Sequence, residues 1–527
     1  MKFIDRLKGW VQRMGAETKA AHEYRDVFEL GGVPAYRQFY NNGIFVWKRL
    51  YRGYYAPWHE LRAPTVADAN AKREAYRMNL AKAACAELAG LTWSEQCKIN
   101  VNLTGFEPTE NEPEDKAQRF IDSVLCHNNF GVKMQESIEQ MLALGGLALK
   151  VWHDGEQIQL GYAMADQFVP TAWNNAAVND GVFISREAKG GYYYTRLEWH
   201  KRVDGGYAVV NELFRAEMKN GDKEPQDILG YRYPLAEVYP DLEAETLIEG
   251  LDTPLFCYAR PPIANNLDDN SPLGVSIYGN ALETLHALDI CYDSFVREFR
   301  LGKKRIIVPA RAVRTVVDPD TGRQLRYFDA HDETYEALAS DDPNDLKISD
   351  NSVELRVEEH VSAINAFLAI LCLQLGFSAS TFSFDVKGGL KTATEVVSEN
   401  SKTYKTIKAV HNSVEPAITA LVRNIFRVAV LYDMEFEGEK IASWFGGDID
   451  GGYECSVYWD DSVIEDKAAQ IERDILLLSN GLKSKLTIMT TTLGMTEEQA
   501  EAEIKRIADE SRIGALDVDR FAAFAVT

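Results

Sequence analysis

The sequence has no cysteine pairing pattern, no long apolar run and no surplus of positive charge, and each lack excludes a class of protein. Its seven cysteines (Cys85, Cys97, Cys126, Cys257, Cys291, Cys372 and Cys455) are scattered and never form a C-x-x-C pair. Structural zinc needs clustered thiolates, so none is expected, and the pattern fits free thiols in a reducing compartment. The nine histidines include no His-x-x-x-His pair, which leaves no metal-ligand spacing. The longest apolar run, residues 366–373, is far below the ~20 residues of a membrane-spanning helix. Residues 1–16 lack the continuous apolar segment of a signal peptide. Phe3, Leu7, Trp10, Val11 and Met14 instead recur at helical spacing between basic residues, an amphipathic helix expected to dock on a protein surface and not a membrane.

The 80 acidic residues outnumber the 57 basic ones, for a net charge of −23. Proteins that wrap nucleic acid are usually basic, because neutralising phosphates releases counterions. The charge therefore excludes a tight static grip on DNA but not DNA passing by. With 527 residues, 46% hydrophobic and 26% charged, the chain can bury a large core divided among several structural units.

Residues 76–88 read as a helix stopped by Gly90, and 115–144 as a helical stretch ending at Gly145-Gly146. Residues 147–152 and 158–164 flank Asp154-Gly155 as a hairpin. A second hairpin, 192–199 with 207–214, turns at Asp204-Gly205-Gly206 inside a strand-rich region from 171 to 260. Its tyrosines fit a sheet face better than a stacking platform. An apolar stripe at helical spacing marks 276–301, with Ser276 as its cap, and a second helix spans 358–375. Between them, residues 303–314 hold five positive charges and no negative one, whereas 318–350 hold ten acidic residues against three basic. The intervening module is thus small, β-rich and polarised. Ile407, Val410, Val414, Ala417, Ile418, Leu421, Ile425 and Val428 form the stripe of a long helix containing Pro416, where a kink is expected. A helical tail follows, over 462–479, 484–493 and a third helix started by the capping box Thr496 to Gln499.

No catalytic constellation emerges. The stretch KGGLKTATE, Lys387 to Glu395, has the residue types of a phosphate loop, but the pattern's first glycine falls on Phe384 or Asp385. It divides instead into a hinge, Gly388-Gly389, and a capping box from Thr392 to Glu395. Gly274-Val-Ser276-Ile-Tyr-Gly279 misses the nucleophile elbow by one residue. Asp268-Asp269 and Asp460-Asp461 are acidic pairs of a kind that chance supplies in so acidic a chain.

Three segments carry a resemblance: NNLDDNSPLGVSIYGNALETLHALDICYDSFVREFRLGKKRIIVP (265–309), GFSASTFSFDVKGGLKTATEVVSENSKTYKTI (376–407) and GLKSKLTIMTTTLGMTEEQAEAEIKRI (481–507). Together with the order of elements, they resemble the portal proteins of tailed bacteriophages, of the siphophage or prophage type. The resemblance implies an α+β portal fold with a mixed α/β wing, a two-helix stem, a small β-rich clip, a kinked long wing helix and a helical crown. The implied divisions are the wing at 1–275, a stem helix at 276–301, the clip at 302–356, a second stem helix at 357–375, a tunnel loop at 376–391, the kinked helix and wing return at 392–461, and the crown and C-terminal tail at 462–527.

The same resemblance implies a ring, usually a dodecamer, at one capsid vertex of the virion, made in the bacterial host cytoplasm. Double-stranded DNA would pass non-specifically through its tunnel, packaged by the terminase large subunit, then retained and later ejected. A head-tail adaptor and the major capsid and scaffold proteins would be further partners, with no cofactor and no membrane. Lys387, Gly388, Gly389 and Lys391 fall on the implied tunnel loop, where the lysines either touch passing phosphates or are merely solvated. Lys303, Lys304, Arg305, Arg311 and Arg314 form the basic edge of the implied clip, facing either a neighbouring subunit or the motor. Other readings left open are another capsid-associated structural protein, the portal of a domesticated DNA-transfer particle, and an unrecognised acidic hydrolase.

Overall fold

The computed structural model describes residues 26–507 apart from 65–67, 108–113, 175–176, 219–228, 303–304, 308–313, 318–321, 323, 328–348, 352–353, 380, 384–392, 461–466 and 493–499. The N-terminal amphipathic segment and the capping box at 496–499 therefore lie outside the described residues.

The chain is an α+β protein. A helical entry, Tyr36–Phe39, Tyr40–Ile44 and Phe45–Tyr51, buries Tyr40 and Trp47. α1 (Leu80–Thr92), β1 (Lys98–Leu103), α2 (Lys116–His127) and α3 (Phe130–Leu144) follow. The sheet region comprises β2 (Leu147–His153), β3 (Ile158–Met164), β4 (Phe168–Trp173), β5 (Val178–Lys189), β6 (Tyr192–Val203), β7 (Gly206–Glu217), β8 (Tyr231–Tyr233), β9 (Glu245–Glu249) and β10 (Phe256–Ala259). Next come α4 (Leu282–Leu301), β11 (Arg305–Ile307), β12 (Arg314–Val317), β13 (Gln324–Tyr327), β14 (Ser349–Asn351) and α5 (Val357–Leu375). α6 (Ala393–Leu431), β15 (Tyr453–Tyr458), α7 (Lys467–Ser479) and α8 (Lys485–Thr491) complete the labelled elements.

β4 to β7 form an antiparallel meander in chain order, and β8 and β9 share the remaining edge of β7. The β6–β7 hairpin turns at Asp204-Gly205, with Val203 opposite Gly206 and Gly205 at φ 89°, a conformation glycine accepts without penalty. β2 is the centre of a second sheet, between β10 and β3. β1 pairs with the distant β15, so the C-terminal third of the chain closes back on the N-terminal part.

α6 lies across β2 and β10 and is the spine of the core. All eight residues of its expected stripe, Ile407 to Val428, are buried. It runs as one 39-residue helix with Pro416 inside, where the ring removes the bond to the carbonyl of Asn412.

Three expected boundaries change. α1 begins at Leu80, not at residue 76, and continues through Gly90. Its N-terminal neighbours are held extended because α4 takes the backbone N–H groups of Tyr76 and Met78, and Asn79 then turns the chain at φ 55°. The stretch from 115 to 144 is two helices, parted by Asn129 at φ 49°. The side-chain amide of Asn128 donates to the carbonyls of Val124 and Ile158, a bond across to β3 that a continuous helix would forbid. α4 starts at Leu282 and not at 276: the Ser276 hydroxyl is no helix cap but accepts from Tyr278 N at 3.3 Å, while Ile277 N donates to Leu142 O at 3.0 Å. That turn is fixed by α3 and delays the helix.

Candidate functional site

Among the described residues no group of three or more His, Cys, Asp and Glu side chains is placed to hold a metal ion. No described helix is long and apolar enough to cross a membrane. All seven cysteines are unpaired. Asp268 of one candidate acidic pair accepts the Asn270 backbone N–H in a turn, and Asp460 of the other accepts from Ser94 Oγ. Asp461 lies outside the described residues. What distinguishes the molecule is the antiparallel pair α4 and α5 with the short strands between them.

The pair is closed at the end nearest those strands. Arg356 donates two bonds to the Glu298 carboxylate, at 3.1 and 2.9 Å, and holds it below the usual carboxylate range. The Phe295 ring packs against Phe299 and His360, at 5.2 and 5.4 Å between centroids. Gly302 ends α4 where a Cβ would come within 2.6 Å of Leu355. Along α5, Ile364, Leu368, Leu371 and Leu375 form the buried side.

α4 is fixed to the rest of the molecule by two carboxylates four residues apart, which a helix places on one face. Asp293, 5% exposed, accepts both terminal nitrogens of Arg73 at 2.8 and 2.6 Å and the Tyr76 N–H at 3.1 Å. The Arg73 bond, against the opposing effect of burial, holds its carboxyl low. Asp289 accepts from Met78 N at 2.9 Å and lies 3.1 Å from Nε2 of the buried His59. One turn earlier, the His286 ring stacks on Trp58, 4.7 Å away and 13° from parallel. The extended segment 73–78 is thus tied to α4 by side chains accepting its backbone donors, which removes the unpaired groups an isolated extended strand would leave.

α5 is fixed instead to α6. Gly376 caps α5 in the left-handed region at φ 84°, and Thr406 Oγ1 donates to its carbonyl at 2.7 Å. Lys402 Nζ donates to Leu373 O at 2.7 Å, and Thr403 Oγ1 accepts from Ser378 N at 2.9 Å.

Of the basic edge, Arg305 lies on β11 opposite Asn351 of β14, and Arg314 lies on β12 opposite Tyr327 of β13. The side chains of both, together with Lys303, Lys304 and Arg311, lie outside the described residues. So do Lys387, Gly388, Gly389, Lys391 and Thr392, the expected cap, and the side chain of Glu395. Helix α6 begins at Ala393, the residue after Thr392.

One buried polar chain escaped the reading of the sequence. Lys150 of β2 donates to both oxygens of Glu198 on β6 at 2.7 Å, His200 lies 2.9 Å from that carboxylate, and the Tyr207 hydroxyl is 2.8 Å from His200 Nδ1. Burial pushes the Glu198 carboxyl up, but the His200 bond and the Lys150 charge outweigh it and leave it well below the usual range. Burial holds both Lys150 and His200 down. The network bridges the two sheets, with Phe183 and Phe256 packed edge-on against His200. Lys150 in the otherwise apolar LALKVW run was the available signal, since a lysine there must find a buried partner.

Residues 41–513 match the family described as phage portal protein, SPP1 Gp6-like. A solved structure, the virion of a native gene transfer agent particle, is matched at a TM-score of 0.34 and 12% identity, over 79% of this chain and 89% of that one. No curated protein sequence matches.

Proposed function

Because this chain belongs to the phage portal protein family of the SPP1 Gp6-like kind, we propose that it forms a ring at one capsid vertex and conducts double-stranded DNA through the ring's axial tunnel. The terminase drives DNA in, the ring retains it and releases it on ejection, and the head-tail connector assembles on the outer end. Twelvefold symmetry is the expected closure, and the protein is made in the host cytoplasm before it joins the virion. It catalyses no reaction of its own. The match over 41–513 is the observation that carries this reading.

The arrangement of elements supports it. α4 and α5 serve as the stem, the strands from β11 to β14 as the clip, α6 as the long wing helix, and α7, α8 and helical residues 500–507 as the crown. Lys387 and Lys391, on the loop between α5 and α6, touch passing phosphates without reading bases. The basic edge from Lys303 to Arg314 faces a neighbouring subunit or the motor. A net charge of −23 per copy keeps the conduit from binding what it conducts, since every added phosphate contact steepens affinity.

Negative-stain microscopy and native mass measurement of the purified full chain test the proposal. Closed rings with a central hole are expected. A persistent monomer with hydrolytic activity would overturn it.

A further inference from the structure

α4 and α5 each keep one face that no other described part of the chain covers. On α4, Ile290, Arg297 and Leu301 recur at helical spacing on neither the side of Phe295 and Glu298, which meets α5, nor the side of Asp289 and Asp293, which meets segment 73–78. Ile290 is 53% and Leu301 56% exposed. On α5, the side opposite Ile364 and Leu371 exposes Ala363, Ala366, Ile370 and Leu373, and no residue from 361 to 376 is charged. Leu373 is 68% exposed. A closed ring of identical subunits needs two different surfaces that fit each other, and these are two different surfaces.

Charge selects the fit. At the end where Arg356 bonds Glu298, α4 exposes Arg297 while α5 exposes Glu358 and Glu359. Because Glu298 is level with Arg356 and His360, Arg297 is level with that acidic pair in every copy. A rotation axis running along the helix pair keeps each residue at its own height. Arg297 of one copy then meets Glu358 and Glu359 of the next, and Ile290, about 10 Å further along, comes level with Ala366. Small alanines on one side let the helix axes approach closely.

We infer that the exposed stripe of α4 docks on the uncharged outer face of α5 of a second copy of this chain, with Arg297 paired to Glu358 and Glu359 across the joint. This rests on the ring proposed above and names the surface that closes it. The test uses the full chain, with ring fraction read by native mass measurement and microscopy. Arg297→Glu lowers the ring fraction at least tenfold, and so does Glu358→Arg combined with Glu359→Arg. Combining all three substitutions restores rings. Since Arg297 also helps hold the Asp293 carboxyl low, Ala366→Glu provides an independent break, at an exposed position whose substitution leaves the helical circular dichroism unchanged. Rings that form normally in Arg297→Glu and Ala366→Glu would overturn this interface and leave the ring reading standing. Failure of the triple variant to recover would overturn the Arg–Glu pairing. A wild-type chain that stays monomeric would overturn both interface and ring.

Discussion

Replacing Asp293 by Asn should detach segment 73–78 from α4. The carboxylate is 5% exposed and accepts three bonds, two from Arg73 and one from the Tyr76 amide. Hydrogen bonds to charged groups contribute about 1.5–3 kcal/mol each, and breaking a buried ion pair by removing one partner costs about 3–5 kcal/mol. Arg73 keeps 27% of its side chain exposed, so water recovers part of its solvation and the loss is reduced to about 2–4 kcal/mol. A chain of this size does not unfold in one step, so a global midpoint is the wrong readout. Hydrogen exchange at the Tyr76 amide reads the local opening directly. At 1.4 kcal/mol per factor of ten, protection there should fall by roughly 30- to 1,000-fold. The Met78 amide, held by Asp289, should lose less, and Arg73→Ala combined with Asp293→Asn should cost little more than Asp293→Asn alone. Tyr76 protection unchanged in Asp293→Asn would refute the reasoning, because the charged carboxylate would then not be what holds the segment.

Glu198→Gln leaves Lys150 buried against a neutral partner and should destabilise the two-sheet junction by about 3–5 kcal/mol, whereas Lys150→Met together with Glu198→Leu should recover much of that loss; hydrogen exchange at the amides of β2 and β6 measures both locally. The same network sets a pH dependence. The folded state holds His200 and Glu198 below their ordinary values, so each contributes stability that is present above its unfolded pKa and is lost as pH falls. Thermal stability of the sheet region should therefore decline as pH drops below about 6.5, where an unfolded histidine begins to protonate, and His200→Asn should flatten the first part of that decline. Lys387→Ala with Lys391→Ala should leave ring assembly intact and change DNA packaging or retention; loss of assembly would make these residues structural.

Much of the fold was legible because the period of the apolar residues was strong. The α6 stripe was buried in full, and both hairpins turned at the glycines that favour a left-handed conformation. The errors fell where tertiary contacts overrode local preference. Residues 76–79 have helix-compatible side chains, yet two carboxylates 211 and 217 residues away in sequence claim their backbone donors. Nothing in the local pattern announces that. Ser276 looked like a cap because serine usually is one, but the chain at that point is committed to α3. Asp289 and Asp293 were legible only as polar positions around the apolar stripe of 276–301. Their partners were not visible, because an extended segment offers backbone N–H groups that no residue type advertises.

The two helices of the pair are fixed by joints of different strength. α4 is held through Asp289 and Asp293, and Asp293 carries a two-pronged ion pair with Arg73. α5 is held to α6 by Ser378, Thr403 and Thr406, whose bonds are between neutral groups, and by Lys402, a charged donor. Neutral bonds contribute about 0.5–1.5 kcal/mol each, roughly half of those to a charged group. Leu371 and Leu375 of α5 are buried, and the chain turns at Gly376, where φ is 84°. Displacement of the strands from β11 to β14 therefore reaches the core through two unequal routes. The α4 route is stiff and ends at the entry helices through His59 and Trp58. The α5 route is soft and ends at the glycine from which the chain leaves for KGGLKTATE.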